Sequence, residues 1–318
     1  MNRSTTRIIS GIHHITAITA DAQENVDFYC GTLGLRLVKM TVNFDDPESY
    51  HLYYGDELGR PGTIMTFFAW PRGHNGRIGP PQVTTTVFSA PSGSLQFWTK
   101  RFAAGDIAVE PAGERFGEPI VSLVDPDGLK LEIVFNAQPK EVTRGPIPQE
   151  HAIVGFHSAA ISEEGYESTA RLLTDVMGFR VDGNEGNRFR YQAGEGQFAS
   201  IVDLLCVPDA RRGTPGTGVV HHIAFRTPGD EEQGAWRSEL VQLGFNASPV
   251  MDRSYFHSIY FREPGGVLFE IATDLPGFAI DEAPNALGTT LKLPQQYEPH
   301  RHQLERLLPP LRIPQWST

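Results

Sequence analysis

The chain has 318 residues, of which 40% are hydrophobic and 20% charged, with a formal net charge of −11. This is the composition of a globular protein long enough for two domains. The acidic balance argues against nucleic acid as a partner, and no apolar run reaches the roughly 18 residues a membrane-spanning helix needs.

The first seven residues are polar or basic with no apolar signal core behind them, so a cytoplasmic protein is expected. Residues 12–19 then alternate as a strand that opens with the doublet His13-His14. Asp21 suits a helix N-cap. Val26, Phe28, Tyr29 and Leu33 recur at helical spacing until Gly34 ends the run. Strands are predicted at 35–40, 50–54 and 63–68. The same order of one strand, one helix and three strands recurs from Val83, Ile153 and Val219, with helices near 95–102, 168–177 and 232–243. Asp-Pro-Asp-Gly at 125–128 and Glu-Pro-Gly-Gly at 263–266 read as turns between strands. A second doublet, His221-His222, opens the fourth unit, and Glu270 lies in the apolar run after its turn. Residues 137–149 read as a polar linker. From about residue 278 the pattern gives way to a Pro-rich tail with a short helix expected at 303–308. Cys30 and Cys206 are too few and too distant for a disulfide framework or a thiolate zinc site, and both are expected as buried free thiols.

The chain compares with itself at an offset of about 140 residues. His13-His14-Ile15-Thr16 aligns with Phe156-His157-Ser158-Ala159, and residues 125–133 align with 263–271. In that alignment His157 matches His14, Thr85 matches His222, and Glu132 matches Glu270. One set of polar residues is complete and its copy is degenerate. The expected fold is α+β, with four βαβββ modules in two domains at 8–136 and 151–275 and a tail at 276–318. Its sheets should be curved, mixed and mostly antiparallel, with helices outside.

Two imidazoles and one carboxylate, with coordination positions left open, suit a non-haem Fe(II) centre. Glu270 lies among Leu268, Phe269 and Ile271, where a carboxylate needs a charge partner. Spacing alone leaves the first ligand open between His14 and His157. Strand alternation sends His13 and His221 initially away from the face carrying His14 and His222. Met40, Phe67, Phe68, Trp70 and Phe256 are candidate walls of an aromatic pocket, and Arg211-Arg212 reads as a solvated loop.

The four modules, the strand histidines and Gly-Gly-Val-Leu-Phe-Glu at 265–270 together resemble the vicinal oxygen chelate superfamily. Residues 11–16, 50–56, 252–256 and 259–262 are most similar to its hydroquinone ring-cleaving dioxygenase branch. The resemblance implies metal ligation by His14, His222 and Glu270 in a cleft between the first and fourth modules. It implies catalytic roles around them for His13, His221, Arg253 and Tyr260, and a place for Thr16 against the substrate. Fe(II) is the implied metal, with Mn(II) or Zn(II) as alternatives. A small aromatic diol and O2 are the implied substrates, and a homo-oligomer is compatible with it. Two rival readings stay open. A glyoxalase-like isomerase or lyase would recruit Glu132 as a second carboxylate, and a binding protein for a small aromatic ligand would use neither metal nor O2.

Overall fold

The computed structural model describes residues 7–140, 145–196 and 198–314. The expectations for residues 1–6, for the 141–144 stretch of the linker and for 315–318 lie outside the described residues. The first module comprises β1 (Ile12–Thr19), α1 (Ala22–Val26, continuing in π-helical turns through Asp27–Thr32), β2 (Arg36–Val42), β3 (Tyr50–Gly55) and β4 (Ile64–Ala69). The second holds β5 (Gln82–Pro91), α2 (Leu95–Ala104), β6 (Gly113–Arg115), β7 (Glu118–Val124) and β8 (Lys130–Ala137). The third holds β9 (Gly155–Glu163), α3 (Glu167–Arg171, continuing as a π-helix through Leu172–Val176), β10 (Arg180–Glu185), β11 (Arg188–Gln192) and β12 (Ile201–Cys206). The fourth holds β13 (Val220–Thr227), α4 (Asp230–Gln242), β14 (Met251–Asp252), β15 (Phe256–Arg262) and β16 (Leu268–Pro276).

Local chemistry accounts for the boundaries. The Asp21 carboxylate accepts the free backbone N–H groups of Gln23 and Glu24, as an N-cap should. Gly34 sits at φ +73°, a conformation that turns the chain out of the helix at little cost to glycine. Trp98 and Phe102 of α2 and Trp236 and Leu240 of α4 are buried, with α2 against β7 and α4 against β15 and β16. Each such side chain contributes about 1.5–3 kcal/mol by leaving water.

The strands form two eight-stranded sheets, ordered β14-β15-β16-β13-β1-β4-β3-β2 and β10-β11-β12-β9-β5-β8-β7-β6. Both are mixed and mostly antiparallel, as expected. Their composition crosses the sequence halves. β1 pairs antiparallel with β13, joining the first module to the fourth, and β5 pairs antiparallel with β9, joining the second to the third. The stretches 8–136 and 151–275 thus mark repeats in sequence, while each sheet draws one module from either half.

The tail folds back along the first module. Lys39 on β2 is fully buried and ion-paired to Asp281 and Glu282 of the tail. Tyr297 donates to the Phe44 carbonyl at 2.8 Å, and α5 (Arg301–Leu307) closes the chain near the expected position. Both cysteines are free. Cys30 is buried, and burial pushes its thiol up to about 12. Cys206 is only half buried, because β12 reaches the rim of its sheet there, which corrects the expectation of two buried thiols. Among the described residues no helix is long and apolar enough to cross a membrane.

Candidate metal centre

The histidine doublets face each other across the β1–β13 pairing. Ile12 lies opposite Phe225, His14 opposite Ala224, Thr16 opposite His222, and Ala17 opposite Val220. His13 and His221 are each left over, one bulge on either strand. A β-bulge sets two residues against one and breaks the alternation of faces. The bulges keep the His13 and His221 rings each against its neighbouring histidine, although neither lines the cleft. His13 Nδ1 lies 2.9 Å from His14 Nδ1, and His221 Nδ1 lies 2.8 Å from His222 Nδ1. Glu270 arrives from β16, whose parallel register with β13 sets it beside Ala224, and Tyr260 of β15 is its antiparallel partner.

Three donor atoms converge in this cradle. His14 Nε2 and His222 Nε2 are 3.2 Å apart, and they lie 3.4 Å and 3.0 Å from Glu270 Oε2. Ligands at about 2.1 Å from one cation stand about 3.0–3.5 Å from each other when adjacent, so the spacing fits a single ion. Among the described residues these three are the group of metal-capable side chains brought together. Glu270 is fully buried. Its Oε1 accepts from the Ser258 hydroxyl at 2.5 Å, while Oε2 has no well-formed hydrogen bond and faces only the two imidazole nitrogens. Leaving a buried carboxylate oxygen in that state is costly, and a cation at that point would remove the cost. Burial pushes Glu270 up, but His14 and His222 outweigh it and hold the carboxylate well below its usual range. Burial lowers His222, favouring the neutral imidazole that can ligate. With Nε2 turned to an ion, each ligand's Nδ1 carries the proton, and the neighbouring histidine's Nδ1 accepts it. The His13 ring is held in turn by the Thr273 backbone. Outer partners of this kind fix a ligand's tautomer and ring plane.

The cleft above the donors is lined by Thr16, Phe68, Arg253, Phe256 and Tyr260, as well as by five residues to which the sequence reading gave no role: Asn43, Phe44, Asp45, His51 and Tyr53. Arg253 Nε donates to the Tyr260 hydroxyl at 3.3 Å and Nη2 to Asp45 at 3.3 Å. Its guanidinium also lies over the rings of Phe44 and Tyr260. His51 and Tyr53 alternate on β3 and so share a face; that two-residue period was the signal available for finding them. The 43–45 loop carried no such signal. His13 and His221 support the ligands from behind and do not line the cleft. Of the other candidate walls, Phe67 belongs to the core against Tyr29, Trp70 stacks on Phe68, and Met40 bridges to Leu291 of the tail.

The second sheet repeats the scaffold without the two histidine donors. Thr84 and His157 are the residues left over at the two bulges of the β5–β9 pairing. Ser158 pairs with Ile201 on β12 as His14 pairs with Ile64 on β4. His157 is therefore the counterpart of His13, and Ser158 that of His14. This corrects the alignment by one residue, a slip that moves a strand side chain to the opposite face. His157 bonds to Ser158 at 3.0 Å and lies 3.1 Å from Glu118, on the sheet that does not carry His222 or Glu270. The alternative set of His157, His222 and Glu270 is not brought together. Glu132 pairs with Arg115 on that same second sheet, away from His14 and His222.

Residues 11–133 and 155–271 match the family described as the glyoxalase/bleomycin resistance protein/dioxygenase superfamily. The candidate ring-cleaving dioxygenase MhqO of Bacillus subtilis (strain 168) is 48% identical over 305 residues, which cover 95% of this chain and 97% of that one. The chlorohydroquinone/hydroquinone 1,2-dioxygenase of Sphingobium indicum is 37% identical over 309 residues, 94% of this chain and 96% of its own. A crystal structure of a dioxygenase candidate from Bacillus subtilis superposes with a TM-score of 0.93 at 47% identity, covering 97% of this chain and 99% of that one. Glyoxalase I from Zea mays superposes with a TM-score of 0.61 at 12% identity over 83% of this chain and 92% of its own, a likeness of fold.

Proposed function

This chain belongs to the glyoxalase/bleomycin resistance protein/dioxygenase superfamily, and from that premise we propose that it is a ring-cleaving dioxygenase acting on a hydroquinone-type aromatic diol, with Fe(II) held by His14, His222 and Glu270. The observation that carries the reading is the convergence of those three donors, with Glu270 Oε2 buried and lacking a well-formed hydrogen bond. The names of the MhqO relative and of the Sphingobium indicum dioxygenase support the reaction class. Bound Fe(II) would supply Lewis acidity toward a substrate hydroxyl and open positions for O2.

The chain's own residues supply the rest. Phe68 and Phe256 offer apolar faces to a flat ring, and Thr16 offers a hydroxyl at the floor. Arg253 brings a permanent positive charge to the cleft, suited to steady negative charge as it grows on oxygen. Tyr260 braces that guanidinium through its hydroxyl and its ring. His13 and His221 keep His14 and His222 in the ligating tautomer.

The reading is tested by loading the metal-free protein with Fe(II) anaerobically and recording O2 uptake over a panel of hydroquinones and catechols. Uptake that depends on Fe(II) and on a hydroquinone is expected. Binding without O2 uptake would instead favour a sequestering protein. Isomerase chemistry without O2 uptake would favour the glyoxalase-like alternative, which the pairing of Glu132 with Arg115 disfavours.

A further inference from the structure

A chain of four hydrogen-bonding side chains runs along the floor of the cleft. The Tyr53 hydroxyl lies 2.9 Å from His51 Nδ1, His51 Nε2 lies 2.8 Å from Thr66 Oγ1, and Thr66 Oγ1 lies 3.0 Å from Thr16 Oγ1. Thr16, His51 and Tyr53 line the cleft beside His14 and His222, and all four members of the chain are buried. Each bond has two possible senses, but one end of the chain decides them. Tyr53 is fully buried and, among the described residues, its hydroxyl makes no hydrogen bond other than that to His51. Three bonds use three of the four protons, so one hydroxyl keeps a spare proton. A phenol is a stronger donor than an alcohol and an imidazole nitrogen a stronger acceptor than a hydroxyl oxygen, so Tyr53 donates to His51 Nδ1 and the spare proton falls to Thr16. A neutral imidazole that accepts at Nδ1 carries its proton on Nε2. Burial, the largest cause, holds His51 well below the usual histidine range, and its ring accepts at Nδ1 as a neutral imidazole. His51 Nε2–H then donates to Thr66, and Thr66 passes its own proton toward Thr16. The Thr16 O–H is left over, with no protein acceptor.

The duplicated copy provides an internal control. β11 and β12 set Arg190 opposite Asp203 as β3 and β4 set Tyr53 opposite Thr66. In that copy Asp203 is clamped by Arg188 and Arg190, and Ala160 stands where Thr16 stands. Where Ser158 and Thr85 replace the two histidine donors, the neutral chain is replaced by an ion pair and its terminal hydroxyl is gone. The hydroxyl chain accompanies the donor triad.

We propose that His51 is a positioning residue which, with Tyr53 and Thr66, orients the Thr16 hydroxyl as a hydrogen-bond donor to the substrate oxygen bound at the His14–His222–Glu270 centre. This rests on the diol-binding reading above and adds a direction to it. The site accepts an anionic or hydrogen-bond-accepting oxygen at Thr16, and the preference is set two residues away.

Histidine-selective 15N NMR of the full-length protein loaded with diamagnetic Zn(II) reads the tautomer without turnover. His51 is expected as the Nε2–H form, and Tyr53→Phe is expected to erode that preference. A wild-type His51 protonated on Nδ1 overturns the proposal. In parallel, the dissociation constant for hydroquinone is measured anaerobically on Fe(II)-loaded protein. Thr16→Val and the isosteric Thr66→Val should each weaken binding roughly 10- to 100-fold, the size of one hydrogen bond to a charged group. The double variant should be no weaker than either single one, and metal content should stay at the wild-type level. Wild-type affinity in Thr66→Val, or losses that multiply in the double variant, would show that Thr66 does not act through Thr16. If wild type holds Fe(II) and hydroquinone but consumes no O2, the dioxygenase reading fails while the tautomer result still judges this one.

Discussion

Glu270 and Glu132 occupy equivalent positions on parallel-paired strands, yet one faces two imidazoles and the other an arginine. Glu270→Gln keeps the shape but removes the charge, so metal affinity should fall by at least 10-fold, measured by competition with a chromophoric chelator. Glu132→Gln should leave affinity unchanged and cost about 1–3 kcal/mol of stability, since Arg115 loses its partner. Arg253→Ala should retain its iron and lose most of its O2 uptake; equal loss of iron would make Arg253 a structural brace. At this scale the sequence was partly legible. Paired doublets and a carboxylate in an apolar strand stand out because buried polar groups are unusual. The bulges did not, because an extra residue in a strand leaves no mark on the alternation until its partner strand is known. That is why His157 was aligned with His14 rather than with His13.

At the level of elements, one buried ion pair and one pair of buried carboxyl groups lie where segments join. Lys39 holds the tail against β2, and removing it leaves Asp281 and Glu282 facing each other without a cation. Lys39→Ala should cost about 3–5 kcal/mol and expose the 278–290 stretch to limited proteolysis; wild-type resistance would show that packing alone seats the tail. The two carboxyl groups lie where the end of β9 approaches the 263–266 turn. Carboxyl oxygens of Glu163 and Glu263 each lie 3.0 Å from where a Cβ on Gly265 would sit, and neither Glu163 oxygen has a hydrogen-bond partner. Burial, and then Glu263, push Glu163 up to about 8. Its folded-state value exceeds the unfolded one, so its stabilising contribution is complete below the ordinary carboxylate range and is lost as pH rises through about 8. Glu163→Gln should therefore raise the melting temperature by a few degrees at pH 8 and change it little near pH 4.5. A pH-independent difference would contradict that assignment. Helix and strand positions were readable because the apolar period, and a glycine closing each helix at positions 34, 105, 178 and 244, repeat in all four modules. The π-helical turns after α1 and α3 were not, since they keep the apolar face of an ordinary helix.

At the scale of the whole molecule, the decisive feature is that β1 pairs with β13, and β5 with β9. The repeat was evident in the sequence, but the choice of partner across it depends on contacts between strands far apart in the chain, which local patterns do not encode. Neither half alone can complete a sheet or the donor triad, because His14 lies in one half and His222 and Glu270 in the other. Residues 1–144 and 145–318 expressed separately should be poorly folded and hold no metal, whereas co-expression should restore a metal-binding complex. A metal-binding single half would contradict this architecture.

Under the proposed function, the His14–His222–Glu270 centre directs both atoms of O2 into an opened aromatic ring. Turnover of hydroquinone by the Fe(II)-loaded protein under 18O2, followed by mass spectrometry of the product, tests it most directly. The expected product is a ring-opened aldehyde-acid carrying both labelled oxygen atoms, reduced with borohydride on release and analysed before the aldehyde oxygen exchanges with water. Benzoquinone as the product, with the label recovered in hydrogen peroxide or water, would contradict it.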